Sequence, residues 1–345
     1  MATSANAKIQ AELGQSHNAM AAMTDSGDHQ IFTISGGTLW SGKSGYTPDV
    51  KPNGIASGRA LISTDTSNNV VAVASCTCYL AGTLTTVSAA DVTVTRPAGD
   101  SILAGTGDHK INSITINSSG EYANVAGEDG TAFSTTRGAA GGPPLIPTGS
   151  IEVGWVKLSS TGDAAVAATE IFQNSDTYTE RYDFPTWTEN NIGDGEKADS
   201  TAEKNAHIKF DKTLDTRHTG SVTKAVYIEY YEPEFSDLPD TFGFKPVKNS
   251  ASVSSRQLYG NKTKGSTSKS IGTGGFSIEL GNGITDGILA EEGEVLTFKF
   301  FPDQDKSAYS LTQGTVVFDQ AFPVDTDNTG SATIAAEQIT SNFSS

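Results

Sequence analysis

The sequence predicts a mainly β fold in two β-rich parts, and three observations carry that prediction. Charged residues make up 18% and hydrophobic residues 36% of the 345 positions, both low for a globular enzyme. Gly, Ser, Thr, Ala and Asn fill the difference, a mixture suited to short strands and tight turns. Clusters of β-branched and aromatic residues recur along the chain at strand length, which argues for packed sheets over disorder.

Taken in order, residues 6–23 (NAKIQAELGQSHNAMAAM) allow a short helix rich in Ala, Gln and Met, interrupted at Gly14. Residues 1–29 are expected to form an arm that orders only against a neighbour. From residue 30 the text turns to strands: QIFTISGGTLW, GRALISTD, NNVVAVASCTCYLAG, DVTVTRPAG, HKINSITINSSGEY and SIEVGWVKL alternate or run apolar between turn residues. The rhythm is that of a sandwich or barrel, and residues 30–164 are read as one β-rich N-terminal domain, either outer or a second tube-like module. Within it, residues 124–150 form a long glycine-rich connection ending in a Pro-Pro pair; a loop of that length is functional or held by a partner. A helix-like patch at Asp163–Gln173 opens a second part, 165–345. There AHIKFDKTL and TKAVYIEYYEPEF alternate like long strands, ITDGILAEEGE allows a short helix, and VLTFKFFPD, GTVVFDQAFPV and SATIAAEQIT return to β. Residues 191–205 read as a polar exposed loop.

The charge is distributed unevenly. The chain carries −17, which disfavours ordinary nucleic-acid binding, since an acidic surface repels phosphates. Yet Lys245–Ile278 contains no acid and six bases: Lys245, Lys248, Arg256, Lys262, Lys264 and Lys269. Removing these six from the total leaves −23 on the other 311 residues. Apolar residues are almost absent from the segment, so it builds no core of its own. It reads as a mobile surface loop or as a long hairpin crossing to another subunit, where the acidic surface of a second copy would fix its register.

Several motifs imitate chemistry. GTLWSGKS at Gly37–Ser44 matches the phosphate-cradling pattern G-x-x-x-x-G-K-[ST], whose chemistry needs a helix to start at the loop. Here Pro48, Pro52, Gly45, Gly54 and Gly58 follow, so a glycine-rich turn between strands is expected. Cys76 and Cys78 sit one residue apart on a strand; a single C-x-C pair is a weak zinc signal, and two small buried residues on one face are expected. DTDNTG at Asp325–Gly330 resembles the start of a calcium loop, but the closing glutamate would fall on Ala336, and a polar hairpin turn is expected. GTGG at Gly272–Gly275 leads into a strand and fails as a dinucleotide fingerprint. The five histidines (His17, His29, His109, His207, His218) show no metal-ligand spacing. No cofactor, no metal and no catalytic set is expected, and the chain is not read as an enzyme. It also lacks the basic-then-apolar pattern of a signal peptide and any membrane-length apolar run, so synthesis in a cytoplasm and no membrane contact are expected.

The second part carries a resemblance. ERYDFPTW (Glu180–Trp187), HTGSVTKAVYIEYYEPEFSDLPDTFGFKP (His218–Pro246), SSRQLYG (Ser254–Gly260), FSIELGNGITDGIL (Phe276–Leu289), LTFKFFPD (Leu296–Asp303) and YSLTQGTVVFDQAFP (Tyr309–Pro323) resemble, by their order and spacing, the major tail proteins of long-tailed, non-contractile bacteriophages, closest in style to flagellum-targeting ones. The resemblance implies a tail-tube-type β-sandwich flanked by a short helix. It also implies six copies in a ring, and rings stacked into a tube whose acidic lumen passes genomic DNA without binding it. The implied partners are further copies and other tail proteins (tape measure, terminator and tip); the implied location is the virion. The basic segment 245–278 and the N-terminal 30 residues become the candidate stacking elements. A phage fibre, decoration or receptor-binding β-module is the alternative.

Overall fold

The structure, a computed structural model, describes residues 6–34, 39–99, 107–174, 179–191, 206–220, 223–324 and 326–343. Among these, 54% are in strands, 4% are helical, and no helix reaches seven residues. The chain is mainly β, as its composition predicts, and its sheets are open; none closes into a barrel.

One large antiparallel sheet organises the molecule. Its order is β18 (Thr241–Lys245), β21 (Thr273–Glu279), β24 (Thr329–Ala335), β23 (Tyr309–Ala321), β22 (Val295–Phe301), β1 (Lys8–Ala22), β17 (Val226–Leu238) and β4 (Asp49–Pro52), with β25 (Ser341–Phe343) paired to the start of β23. The segment read as a helical arm is therefore the 15-residue central strand β1. It pairs with β17 from Ile9↔Leu238 to Ala22↔Tyr227 and with β22 from Lys8↔Phe301 to Ala11↔Phe298. Helix propensity is a weak preference that two flanking strands override. Ile9 and Ala11 point into the core at strand period, and irregularities around Leu13 and between Asn18 and Ala21 absorb what does not alternate.

Four smaller sheets complete the packed body. A four-stranded sheet, β12 (Tyr122–Ala126), β11 (Lys110–Ile116), β13 (Ile151–Leu158) and β14 (Ile171–Gln173), shares a core with two three-stranded sheets. These are β5 (Gly54–Ser57), β8 (Cys76–Leu80), β9 (Thr83–Val87), and β10 (Ala90–Thr93), β7 (Val70–Val73), β6 (Ile62–Thr64). The fourth small sheet, β15 (Trp187–Asn190), β16 (His207–Phe210), β3 (Ile31–Thr33) and β2 (Thr24–Asp25), packs on one end of the large sheet through Val50, Val226, Ile228 and Tyr230. The other end of the large sheet has its own core around Ile9, Phe276, Leu296, Phe298, Val316 and Ile334, closed by Ile288.

The cores divide the chain differently from a boundary at 29/30 and another near 165. Residues 31–50 pack with 206–230, while the first core runs from Ile55 to Val166 and takes in Ile171. The β-rich module is thus inserted between β4 and β15 rather than placed ahead of the second part. The two expected helices are also corrected. Asp163–Gln173 holds one 3-10 turn, Ala168–Glu170, and then β14, because pairing of Ile171–Gln173 with Gly154–Val156 claims the backbone. Across residues 283–294 the chain makes two 3-10 turns, Gly283–Thr285 and Gly287–Glu291.

The long connection 127–150 is held by its own chain. His109 and Gly130 exchange backbone hydrogen bonds of 3.1 and 2.9 Å, and Gly141 N–H donates to Glu128 O at 2.8 Å. A Cβ on Gly141, at φ +71, would lie 2.1 Å from Ala132 O, so only glycine permits this approach.

Candidate functional site

The basic segment folds as a two-stranded hairpin, β19 (Asn249–Leu258) and β20 (Lys262–Ile271), in which every residue is exposed. At about 3.3 Å per residue it projects roughly 33 Å. Its register explains why serine recurs at every second position. Ser250, Ser252 and Ser254 face Ser270, Ser268 and Ser266, and each pair shares a hydroxyl hydrogen bond of 2.8, 2.6 and 2.8 Å. On the same face, further out, Arg256 lies opposite Lys264 and Leu258 opposite Lys262. Tyr259, at the turn, is 105% exposed.

The six predicted bases thus fall into two groups. Arg256, Lys262 and Lys264 gather on one face near the tip. Lys269 is opposite Ala251 on the other face, and Lys245 and Lys248 stay at the root. None of the six makes an ion pair with another described residue. Like charges directly across a ladder disfavour it by about 0.2–1 kcal/mol, and an isolated hairpin is marginal in water. The ribbon thus sets cations opposite each other and buries no side chain of its own.

The root is fixed. Val247, 1% exposed, donates its N–H to Thr340 Oγ1 at 2.8 Å and accepts from Thr340 N–H at 3.0 Å. Gly272 N–H donates to Lys248 O at 2.9 Å. The hairpin leaves the large sheet from an anchored base, between β18 and β21.

A second charged cluster was not legible in the sequence. Glu152 on β13 is fully buried and accepts from Arg137 at 2.9 and 2.8 Å, from Arg217 at 3.0 Å and from Ser113 at 2.6 Å. Arg217 also donates to Glu180 at 2.6 Å. Lys224 donates to the carbonyls of Arg181 and Thr179 at 2.6 and 3.4 Å. These residues come from the inserted module, the long connection and the second part, and Thr179, Glu180, Arg217 and Lys224 among them line a cavity of about 180 Å³. Burial pushes the Glu180 carboxyl up to about 7, against the pull of Arg217, and brings Lys224 down to about 8. Backbone hydrogen bonds between Ile146 and Arg217 and between Thr219 and Ile146, both 2.9 Å, run beside the cluster. The arrangement ties two parts of the molecule together.

The motifs that imitate chemistry resolve as turns and packing. Gly37 and Thr38 lie outside the described residues. From Leu39 to Pro48 the chain is irregular, and the next element is the strand β4. Lys43 binds Glu291 at 2.5 Å, which holds its ammonium above the usual range, and Ser44 N–H donates to Glu294 at 2.9 Å. A phosphate here would meet two carboxylates. Ser41 donates to the buried Glu12, which also accepts from Thr297 N–H at 3.1 Å. Cys76 and Cys78 are both buried on one face of β8, and their contact brings the Cys76 thiol down to about 7 and pushes Cys78 up. Asp325 lies outside the described residues; its neighbours connect the hairpin strands β23 and β24. The loop at 191–205 is described only at Asn191, whose side chain bonds to Trp40. Among the described residues no three His, Cys, Asp or Glu converge as metal ligands, and no helix is long and apolar enough to cross a membrane.

No protein-family model matches the chain, and comparison with curated proteins and with solved structures finds no match either.

Proposed function

We propose that the chain is a self-assembling structural subunit of the tail-tube type, whose copies form rings that stack into the conduit of a long-tailed phage. The observation that carries this reading is the hairpin Asn249–Ile271. It is twenty-three residues of ribbon with no buried side chain and unpaired cations at its tip, on a chain that carries −17. The acidic remainder of another copy supplies the counter-surface, and such a contact sets register and orientation. Two further features support it. The large sheet ends in β18 and β4, whose outer backbone edges have no strand partner among the described residues, and pairing between copies would cover such edges. A net negative surface lets DNA slide past without adhering. On this reading the chain does no chemistry, resides in the virion, and adjoins the tape measure, terminator and tip proteins.

Negative-stain electron microscopy over a concentration series tests the proposal. Stacked rings or hollow tubes are expected from the purified chain, and the triple change Lys262→Glu, Lys264→Glu, Lys269→Glu should abolish them while leaving the melting temperature unchanged. Compact trimers at every concentration would instead favour a fibre or receptor-binding module.

A further inference from the structure

The hairpin tip is half of a contact, and the same sheet carries a surface of matching chemistry. Phe242, Ser277, Ser331 and Asp319 are neighbours across β18, β21, β24 and β23. They share the face turned away from the core, since Ile278, Ala332 and Phe318 beside them are buried. Together with Ala321 and Thr329 they line an open groove of about 230 Å³. One end of the groove is aromatic, with Phe242 53% exposed; the other is the exposed Asp319, which makes no ion pair or side-chain hydrogen bond with a described residue. Phe322 and Val324, just past Ala321 in the chain, are 51% and 98% exposed.

Resting on the self-assembly reading, we propose that this groove receives the hairpin tip of a second copy. The Tyr259 ring packs on Phe242, and Arg256 and Lys264 reach Asp319. Charge and shape agree. The tip offers one fully exposed aromatic ring beside three cations; the groove offers one aromatic ring and one carboxylate, separated by hydroxyls. Four adjacent strands put Phe242 and Asp319 roughly 14 Å apart. Arg256 lies three residues before Tyr259, roughly 10 Å along an extended chain, and the length of its side chain spans the rest. The topology adds a direction. The hairpin leaves at the Thr273 end of β21, and the groove lies at the Ser277–Glu279 end of the same strand. A contact between two different surfaces leaves one of each free at the ends of any chain of copies, so it propagates where an isologous dimer would close.

A charge exchange tests the contact, with assembly followed by sedimentation and electron microscopy and folding by thermal melting. The wild type should assemble. Asp319→Lys alone and Arg256→Glu with Lys264→Glu should each reduce assembly at least tenfold at unchanged melting temperature. The chain carrying all three changes should recover most of it, because the ion pairs are restored with reversed sign. Assembly of Asp319→Lys at the wild-type level, or a triple variant no better than its parents, overturns the groove while leaving self-assembly standing. A wild type that stays monomeric at every concentration removes the self-assembly reading and this contact with it.

Discussion

Glu152 and Glu180 show how much a single buried carboxylate can hold. Removing Glu152 leaves Arg137 and Arg217, 15% and 12% exposed, without their shared partner. Glu152→Ala should cost about 3–5 kcal/mol and release the 127–150 connection, read out as a fall in melting temperature and as new proteolytic cleavage there. Glu180 is a different case, because the fold raises its pKa to about 7 from 4.5. The stability linked to its proton is complete below pH 4.5 and is lost as pH rises through 7. Glu180→Gln cannot ionise. Its unfolding free energy relative to the wild type should therefore climb between pH 5 and pH 8, by an amount on the order of 2–3 kcal/mol, read as a rising relative melting temperature. A constant difference across that range would show that Glu180 is not the titrating group.

At the scale of elements, the hairpin and β1 make opposite predictions. Replacing Ser250–Ser270 by a short glycine-containing turn removes no buried side chain. It should leave monomer stability within about 0.5 kcal/mol, measured by denaturant titration, and prevent assembly. Deleting residues 1–22 removes the central strand and opens both β17 and β22; cooperative melting should disappear, whereas loss of an arm would leave it intact. The same two elements show what the sequence discloses. The strand runs of the inserted module were legible because β-branched residues mark them, as in Val70–Val73 and Ile151–Leu158. β1 was not, because Ala, Gln and Glu favour helices locally and its alternation survives only at Ile9 and Ala11 before the first bulge. The hairpin was legible in charge but not firmly in shape. Its decisive signal, serine at 250, 252, 254 and again at 266, 268, 270, is a strand period written in polar residues. The Glu152 cluster and the Phe242–Asp319 groove had no local signature at all. Their members are brought together by topology, over separations of 65 residues for Glu152 and Arg217.

For the whole molecule, the separation of charge between a basic ribbon and an acidic body makes the proposed assembly an electrostatic equilibrium. Raising salt from ~0.05 M to ~0.5 M shortens the screening length several-fold, and the concentration needed for assembly should rise with it; a salt-independent threshold would point to an apolar contact as the main term. The position of β1 has a consequence in time as well as in space. Its partners are Val226–Leu238 and Val295–Phe301, so a strand made first waits for the last third of the chain. At about 5–20 residues per second that wait is roughly 15–60 s of synthesis. Pairings this distant in sequence also form slowly. The hairpin emerges from the ribosome before β22 does. While the central slot is unfilled, the sheet that anchors the hairpin is incomplete, and so is the groove formed with β23 and β24. Under the proposed self-assembly, neighbouring nascent chains would then be unable to polymerise on the polysome: the order of the sequence itself would postpone association until each copy is finished.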